Sequence, residues 1–257
     1  MPDILAAMPA ALAILLQAAI AGTATAARPA HGCGAVSHET GDYVVCRFDP
    51  ETSDIRLFLN DGAGEPYGHF NILNEALAEN GEKLAFAMNA GMYHEDRAPV
   101  GLYVENSASL SRLNTNDGPG NFHLKPNGVF LVTAEGAARI EETEVFQMTK
   151  RPAPQYATQS GPMLVINNQI HPRFLKDSDS LKRRNGVGVT RDGEAIFVLA
   201  DTLVRFYDFA RFFRDELRTP NALYLDGTIS RLYAPELDRN DPGAAMGPIV
   251  GVVVKAD

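Results

Sequence analysis

Short apolar runs broken by turn formers set the limits on this chain. Ten of them lie at 43–48, 55–59, 84–88, 100–105, 128–133, 162–166, 186–190, 195–200, 222–225 and 249–254. Most are β-branched or aromatic and bounded by Gly, Pro, Asn or Asp. Such side chains pack on a pleated surface, and such boundaries turn the chain. Two stretches carry helical periodicity instead. At 71–80, Ile72, Leu73, Ala76 and Leu77 share a face, and Gly81 supplies a C-cap. At 205–217, Phe206, Phe209, Phe212 or Phe213, and Leu217 line one face opposite charges, and Pro220 stops the helix. Strands thus outnumber helices without regular strand–helix alternation. This predicts an α+β fold, a single domain with a mixed, largely antiparallel sheet and few helices.

Turn chemistry adds detail. Asp226-Gly227 separates the run at 222–225 from a second strand-like run at 229–233, the strongest short signal for a hairpin. Segments 128–136 and 186–193 resemble each other; each reads as a strand ending in a Gly-containing hairpin turn. The polar loops at 114–127 and 171–185 are long, and long ordered loops in a compact domain are often functional.

The N-terminus reads as a secretory leader. Residues 10–21 are nearly all apolar yet too few to span a bilayer, and Ala24-Thr25-Ala26 follows as an A-x-A cleavage pattern. The expectation is a signal peptide at 1–26, a mature domain at 27–257, a periplasmic or secreted location and no membrane association after leader removal. A buried N-terminal helix is the alternative, because no Lys or Arg precedes the apolar run. The chain has 2 cysteines, Cys33 and Cys46. In an exported protein such a pair is most simply a disulfide, and two cysteines alone cannot make a structural zinc site. The net charge is −9, with no basic run longer than Lys182-Arg183-Arg184. A nucleic-acid-binding face needs a dense basic patch, so that class of partner is set aside.

Common catalytic signatures are missing. There is no phosphate-binding G-x-x-x-x-G-K-[ST], no G-x-G-x-x-G at a strand–helix junction and no G-x-S-x-G elbow. The 6 histidines are scattered, His94-Glu95-Asp96 reads as a solvated loop tip, and neither a metal nor a cofactor is expected. What remains is a set of polar corners at strand ends. Asn89-Ala90-Gly91 follows one strand, and Ser160-Gly161 precedes another. Arg184-Asn185 precedes a third, while Asp201 and Asp226-Gly227 each end one. Any one alone is turn chemistry. Together they set polar groups beside small residues, as a pocket at one sheet edge requires.

The ordered blocks "FAMNAGMY", "PVGLYVENS", "NGVFLV", "ATQSGPMLVI", "RRNGVGVT", "AIFVLAD" and "NALYLDG" resemble the phosphodiester glycosidase family, over roughly 41–254. The resemblance implies an exported hydrolase that cleaves a sugar from a phosphodiester in a glycan or glycoconjugate. Asn89, Gly91, Ser160, Gly161, Arg184, Asp201, Asp226 and Gly227 match family blocks. The family's Asp-Gly-Gly-Gly-Ser block reads Asp226-Gly227-Thr228-Ile229-Ser230 here, so two glycines are missing. In this reading Arg184 meets the phosphate. Asp226, or second Asp201, serves the anomeric carbon as base, nucleophile or charge stabiliser. Asn89 orients a hydroxyl or water. Ser160-Gly161 amides could hold a phosphate oxygen, and Gly91, Asn185 and Gly227 complete the substrate contacts. Two other classes stay open: a cell-envelope glycan-binding protein without turnover, and a metal-dependent phosphodiesterase.

Overall fold

The computed structural model describes residues 31–256; the expected leader at 1–26 lies outside them. Among the described residues, seventeen strands form three sheets. The seven-stranded sheet runs β1 (Gly32–His38), β2 (Gly41–Phe48), β13 (Ala195–Ala200), β12 (Asn185–Val189), β14 (Asn221–Asp226), β10 (Met163–Ile166), β11 (Gln169–Ile170). A second sheet runs β16 (Arg239–Asn240), β15 (Leu232–Ala234), β4 (Glu82–Asn89), β17 (Ile249–Lys255), β3 (Asp54–Phe58). The third runs β6 (Ala108–Ser111), β5 (Tyr103–Glu105), β9 (Tyr156–Ser160), β7 (Gly128–Val132), β8 (Ala138–Glu142). Every strand pairing among the described residues is antiparallel. The fold is α+β and mostly sheet.

The three sheets meet at one aromatic cluster. Phe197 from β13 packs against Phe86 of β4 at 5.1 Å and Phe130 of β7 at 5.6 Å between ring centroids. Alternation along β13 explains its unbroken apolar run. Ala195, Phe197 and Leu199 face this cluster. Ile196, Val198 and Ala200 face a second one. That second layer is built by α3 (Phe206–Arg211) and the π-helical turn that extends it, Phe212–Glu216. The wide turn resolves the choice between Phe212 and Phe213. With Leu217 N–H bonded to Phe212 O at 3.0 Å, both rings turn inward and both are buried. Two further α-helices are α1 (Phe70–Ala78) and α2 (Thr143–Met148). In α1 the buried stripe is Phe70, Leu73 and Leu77, the i, i+3, i+7 rows. Ile72, expected on that face, is instead 44% exposed.

The turn expectations divide. Both Gly-containing hairpins form, β7–β8 and β12–β13. In each, a left-handed Gly (Gly136, Gly193) bonds back to a Thr carbonyl three residues earlier. The hairpin expected at Asp226-Gly227 does not form. β14 pairs with β12 and β10, while β15 joins β4 in another sheet. The cause is local. Gly227 N–H bonds the Asp226 carboxylate at 2.6 Å, and Ser230 N–H closes a turn on Gly227 O at 2.8 Å. That turn steers the chain out of the first sheet.

Cys33 and Cys46 form a disulfide between directly opposed positions of β1 and β2. Among the described residues β1 is an edge strand with β2 as its one neighbour. Closing a loop of this length stabilises by about 3 kcal/mol in the chain-entropy model. The Cys33→Ser/Cys46→Ser protein is therefore expected to melt roughly 6–12 °C lower than the oxidised parent. Paired thermal melts check this, and an unmoved midpoint means the β1–β2 hydrogen bonds suffice alone.

Candidate active site

Where β4, β12 and β14 end, three side chains lock together. Asn89 Nδ2 donates to Asp226 Oδ2 at 3.0 Å. Asn185 Oδ1 accepts from Asp226 N at 2.6 Å, and Asn185 Nδ2 donates to Asn89 O at 2.9 Å. Arg231 N fills the other end of Asn89, donating to Oδ1 at 2.8 Å. The cluster ties the first sheet to the second. A β-bulge adjoins it: Gly186 pairs with Tyr224 and Asn185 with Asp226, so Leu225 is skipped. Bulges re-aim side chains at strand ends. Ser160 Oγ donates to Leu225 O at 3.0 Å, which holds that skipped residue from the third sheet.

Asp226 is 8% exposed. Burial pushes its carboxyl up to about 6, against the opposing pull of the Gly227 N–H and Asn89 bonds. It lines a cleft of about 330 Å³ with Met92, Asn121, Arg184, Phe206 and Tyr224, and with Gly227 and Thr228 next in the chain. Ser180 and Lys182 finish the wall. The long loops expected to be functional supply Asn121 and the residues from Ser180 to Arg184.

Arg184 is 1% exposed, yet no carboxylate pairs with it among the described residues. Its Nε donates to Val204 O at 2.9 Å and Nη2 to Ser180 O at 3.0 Å. The guanidinium lies 3.6 Å over the Phe206 ring. Burial lowers its pKa, but arginine remains charged in proteins. Two carbonyls, a ring face and the Tyr224 hydroxyl do not neutralise a buried cation, and among the described residues Nη1 makes no bond to an acid. Tyr224 stands within electrostatic reach of both Arg184 and Asp226, and burial pushes its phenol up to about 12. It stays a neutral donor. Gly227 makes this arrangement possible, because a Cβ there would sit 2.5 Å from the Tyr224 hydroxyl.

Other residues singled out in the sequence take supporting places. Gly91 packs against Thr158 and Ser160. Gly161 packs against Phe122 O and Asn127, so the expected phosphate contact at Ser160-Gly161 has no place in the cleft lining. Asp201 also stands outside it. Arg239 holds Asp201 at 2.6 Å, and Arg183 reaches it at 3.4 Å, in an ion-pair network that includes Asp241. His94, Glu95 and Asp96 form an exposed turn. Phe206 and Tyr224 were readable in the sequence only as core aromatics. The one available hint was that Tyr224 sits two residues before Asp226 on a short strand.

A wider groove of about 1290 Å³ lies at the far ends of β12 and β13. Its walls carry five arginines (Arg47, Arg139, Arg191, Arg214, Arg218) and five acids (Asp49, Glu51, Asp192, Glu194, Asp215), so its charges balance. The small cleft has the buried, unneutralised cation and is the better candidate. Among the described residues, no three His, Cys, Asp or Glu side chains gather as a metal site would need.

A buried carboxylate and a buried guanidinium share one cleft where interior strands of the first sheet end, and this defines the class: a mostly antiparallel β protein with a charged cleft at its strand ends. The family model described as "Phosphodiester glycosidase" matches residues 82–253. The chain belongs to that family, and every candidate residue above lies inside the matched span. It is 39% identical over 185 residues to the uncharacterized protein YigE of Escherichia coli (strain K12), covering 72% of this chain and 71% of that one. Among solved structures it is similar to the catalytic domain of zebrafish N-acetylglucosamine-1-phosphodiester alpha-N-acetylglucosaminidase auto-inhibited by pro-peptide. There the TM-score is 0.58 at 14% identity, over 86% of this chain and 81% of that one. It is also similar to a hypothetical protein from Synechocystis, with a TM-score of 0.51 at 13% identity over 87% of this chain and 61% of that one. At such identities the likeness is one of fold.

Proposed function

We propose that this protein is an exported hydrolase that cleaves the bond between a sugar and a phosphodiester. One observation carries the reading: Arg184, a buried cation with no acid partner among the described residues, shares a small cleft with the buried carboxylate of Asp226. A phosphodiester is a monoanion that matches such a cation, and guanidinium suits its paired oxygens. Its phosphate oxygen is weakly basic, so the leaving group needs little protonation. The remaining task is at the anomeric carbon, where positive charge develops. Asp226 is the carboxylate available there, to activate water or stabilise that charge. Asn89 and Asn185 hold it in place, and neutral Tyr224 offers a hydroxyl to phosphate or sugar.

Family membership supports the reaction class, and the disulfide supports an oxidising compartment. The substrate is a carbohydrate phosphodiester. Chromogenic sugar 1-phosphodiesters, assayed with and without chelator, test the reading. Chelator-insensitive release of free sugar is the expected result. Release of a sugar phosphate, or loss of activity on chelation, would favour a metal phosphodiesterase. Binding without turnover would favour a glycan-binding protein.

A further inference from the structure

We infer that the cleft prefers a glycosyl phosphodiester whose leaving group carries a second anionic group, read by Lys182. This rests on the phosphodiester reading above and narrows its substrate class. The segment Lys182-Arg183-Arg184 is extended, bridged to Val204 through Lys182 N to Val204 O at 3.2 Å and Val204 N to Lys182 O at 2.9 Å. Side chains of extended chain alternate between two sides. Arg183 takes one side and pairs with Asp241 at 3.0 Å and Asp201 at 3.4 Å. Lys182 and Arg184 take the other and line the cleft.

Their depths differ. Arg184 is buried, whereas Lys182 is exposed. Their order along the cleft follows from register. Asn185 pairs with Asp226, so stepping back along the chain passes Arg184 and then Lys182. Two residues of extended chain separate the last two by about 6–7 Å. A substrate with its anomeric carbon at Asp226 and its phosphate at Arg184 therefore directs its leaving group past Lys182. No carboxylate pairs with Lys182 among the described residues, while Asp201 and Asp241 are held by Arg183 and Arg239. A second phosphate or carboxylate, a few bonds beyond the scissile linkage, meets that ammonium. Because Lys182 is exposed, its pull weakens in salt.

Two synthetic series test this: hexosyl 1-phosphodiesters with a methyl leaving group, and the same sugars with a 2-phosphoethyl leaving group. At low ionic strength the unmodified protein should favour the phosphoethyl member in kcat/KM by about two- to fivefold, the worth of an exposed charge contact. Lys182→Met should bring that ratio to about one through KM, Lys182→Glu should invert it, and high salt should erase it. Arg184→Lys should lower both members and leave the ratio in place. A wild-type ratio of one, or a ratio that survives Lys182→Met, overturns the inference while the phosphodiester reading stands. Failure to turn over either series overturns both.

Discussion

Asp226→Asn is expected to keep its fold while turnover of a sugar 1-phosphodiester falls by about 10²- to 10⁴-fold, the usual worth of a positioned acid–base group. The stability side is a near cancellation. In the parent, burial holds the carboxyl at about 6 rather than 3.8. That gap sets a penalty of about 3 kcal/mol against the charged form at neutral pH. An amide removes it. The amide also brings a cost, because Asn89 is oriented by its bond from Arg231 N and presents its own donor to position 226. Whichever way the new amide turns, donor faces donor at Asn89 or at Gly227 N–H. An unmet buried polar pair costs about 1–3 kcal/mol. Gain and loss are of one size, so the melting temperature at pH 7 should move little.

The pH dependence sharpens the test. A carboxyl raised in the folded state penalises folding when ionised. That penalty is present above about pH 6 and relieved as pH falls toward the unfolded value of 3.8. Relative to Asp226→Asn, the parent should therefore gain stability on acidification, opposite to the behaviour of a salt-bridged Asp. The ionised carboxylate is the working form in the proposed reaction, so kcat/KM should fall below about pH 6. The variant's residual rate should lack that limb. A fully active Asp226→Asn protein would remove Asp226 from the chemistry and reduce it to a turn residue. Asp201, engaged by Arg239 and Arg183 outside the cleft, would have to be tested next.

What the sequence revealed followed from burial pattern. β13 and β14 were legible because strands buried on both faces read as unbroken apolar runs. β9 was not, although all five of its residues are buried. Its Tyr-Ala-Thr-Gln-Ser sequence looks like surface. The side chain of Gln159 is satisfied inside, accepting from Leu102 N and Asn114 N and donating to Asn114 O and Thr143 Oγ1. Hydropathy does not register a polar group whose partners arrive from distant segments. β1 and β8 are edge strands and carry too few apolar residues to stand out. In the site, Asn89, Arg184, Asn185 and Asp226 were legible as polar residues at strand ends. The same rule brought in Asp201, because a strand-end carboxylate in an ion-pair network has the same local sequence as one in a cleft. It passed over Phe206 and Tyr224, whose rings serve both the core and the cleft wall.

Arg184→Lys carries the second large effect. Lys keeps the charge but loses the planar fork that suits paired phosphate oxygens. The structure adds a stability cost. Lys has one nitrogen where Arg184 bonds two carbonyls, Val204 O and Ser180 O, and stacks its plane on Phe206. One of these two bonds from the charged group is lost, at about 1–3 kcal/mol, while Val204 O keeps its bond from Lys182 N. For a domain of this size that lowers the melting temperature by roughly 2–12 °C and leaves the variant folded at 25 °C. The activity loss has a separate origin. A charge-assisted bond to phosphate is worth about 1.5–3 kcal/mol. Losing the second prong of the fork should therefore lower kcat/KM by roughly ten- to a hundredfold. Inorganic phosphate separates the two effects. In the parent it should raise the melting temperature by occupying the unneutralised guanidinium, as any ligand bound only by the folded state does. In Arg184→Lys that rise should shrink markedly. A variant that melts lower yet keeps kcat/KM within about twofold, roughly 0.4 kcal/mol, and keeps its full response to phosphate would make Arg184 a clasp for the loop at Ser180 and nothing more.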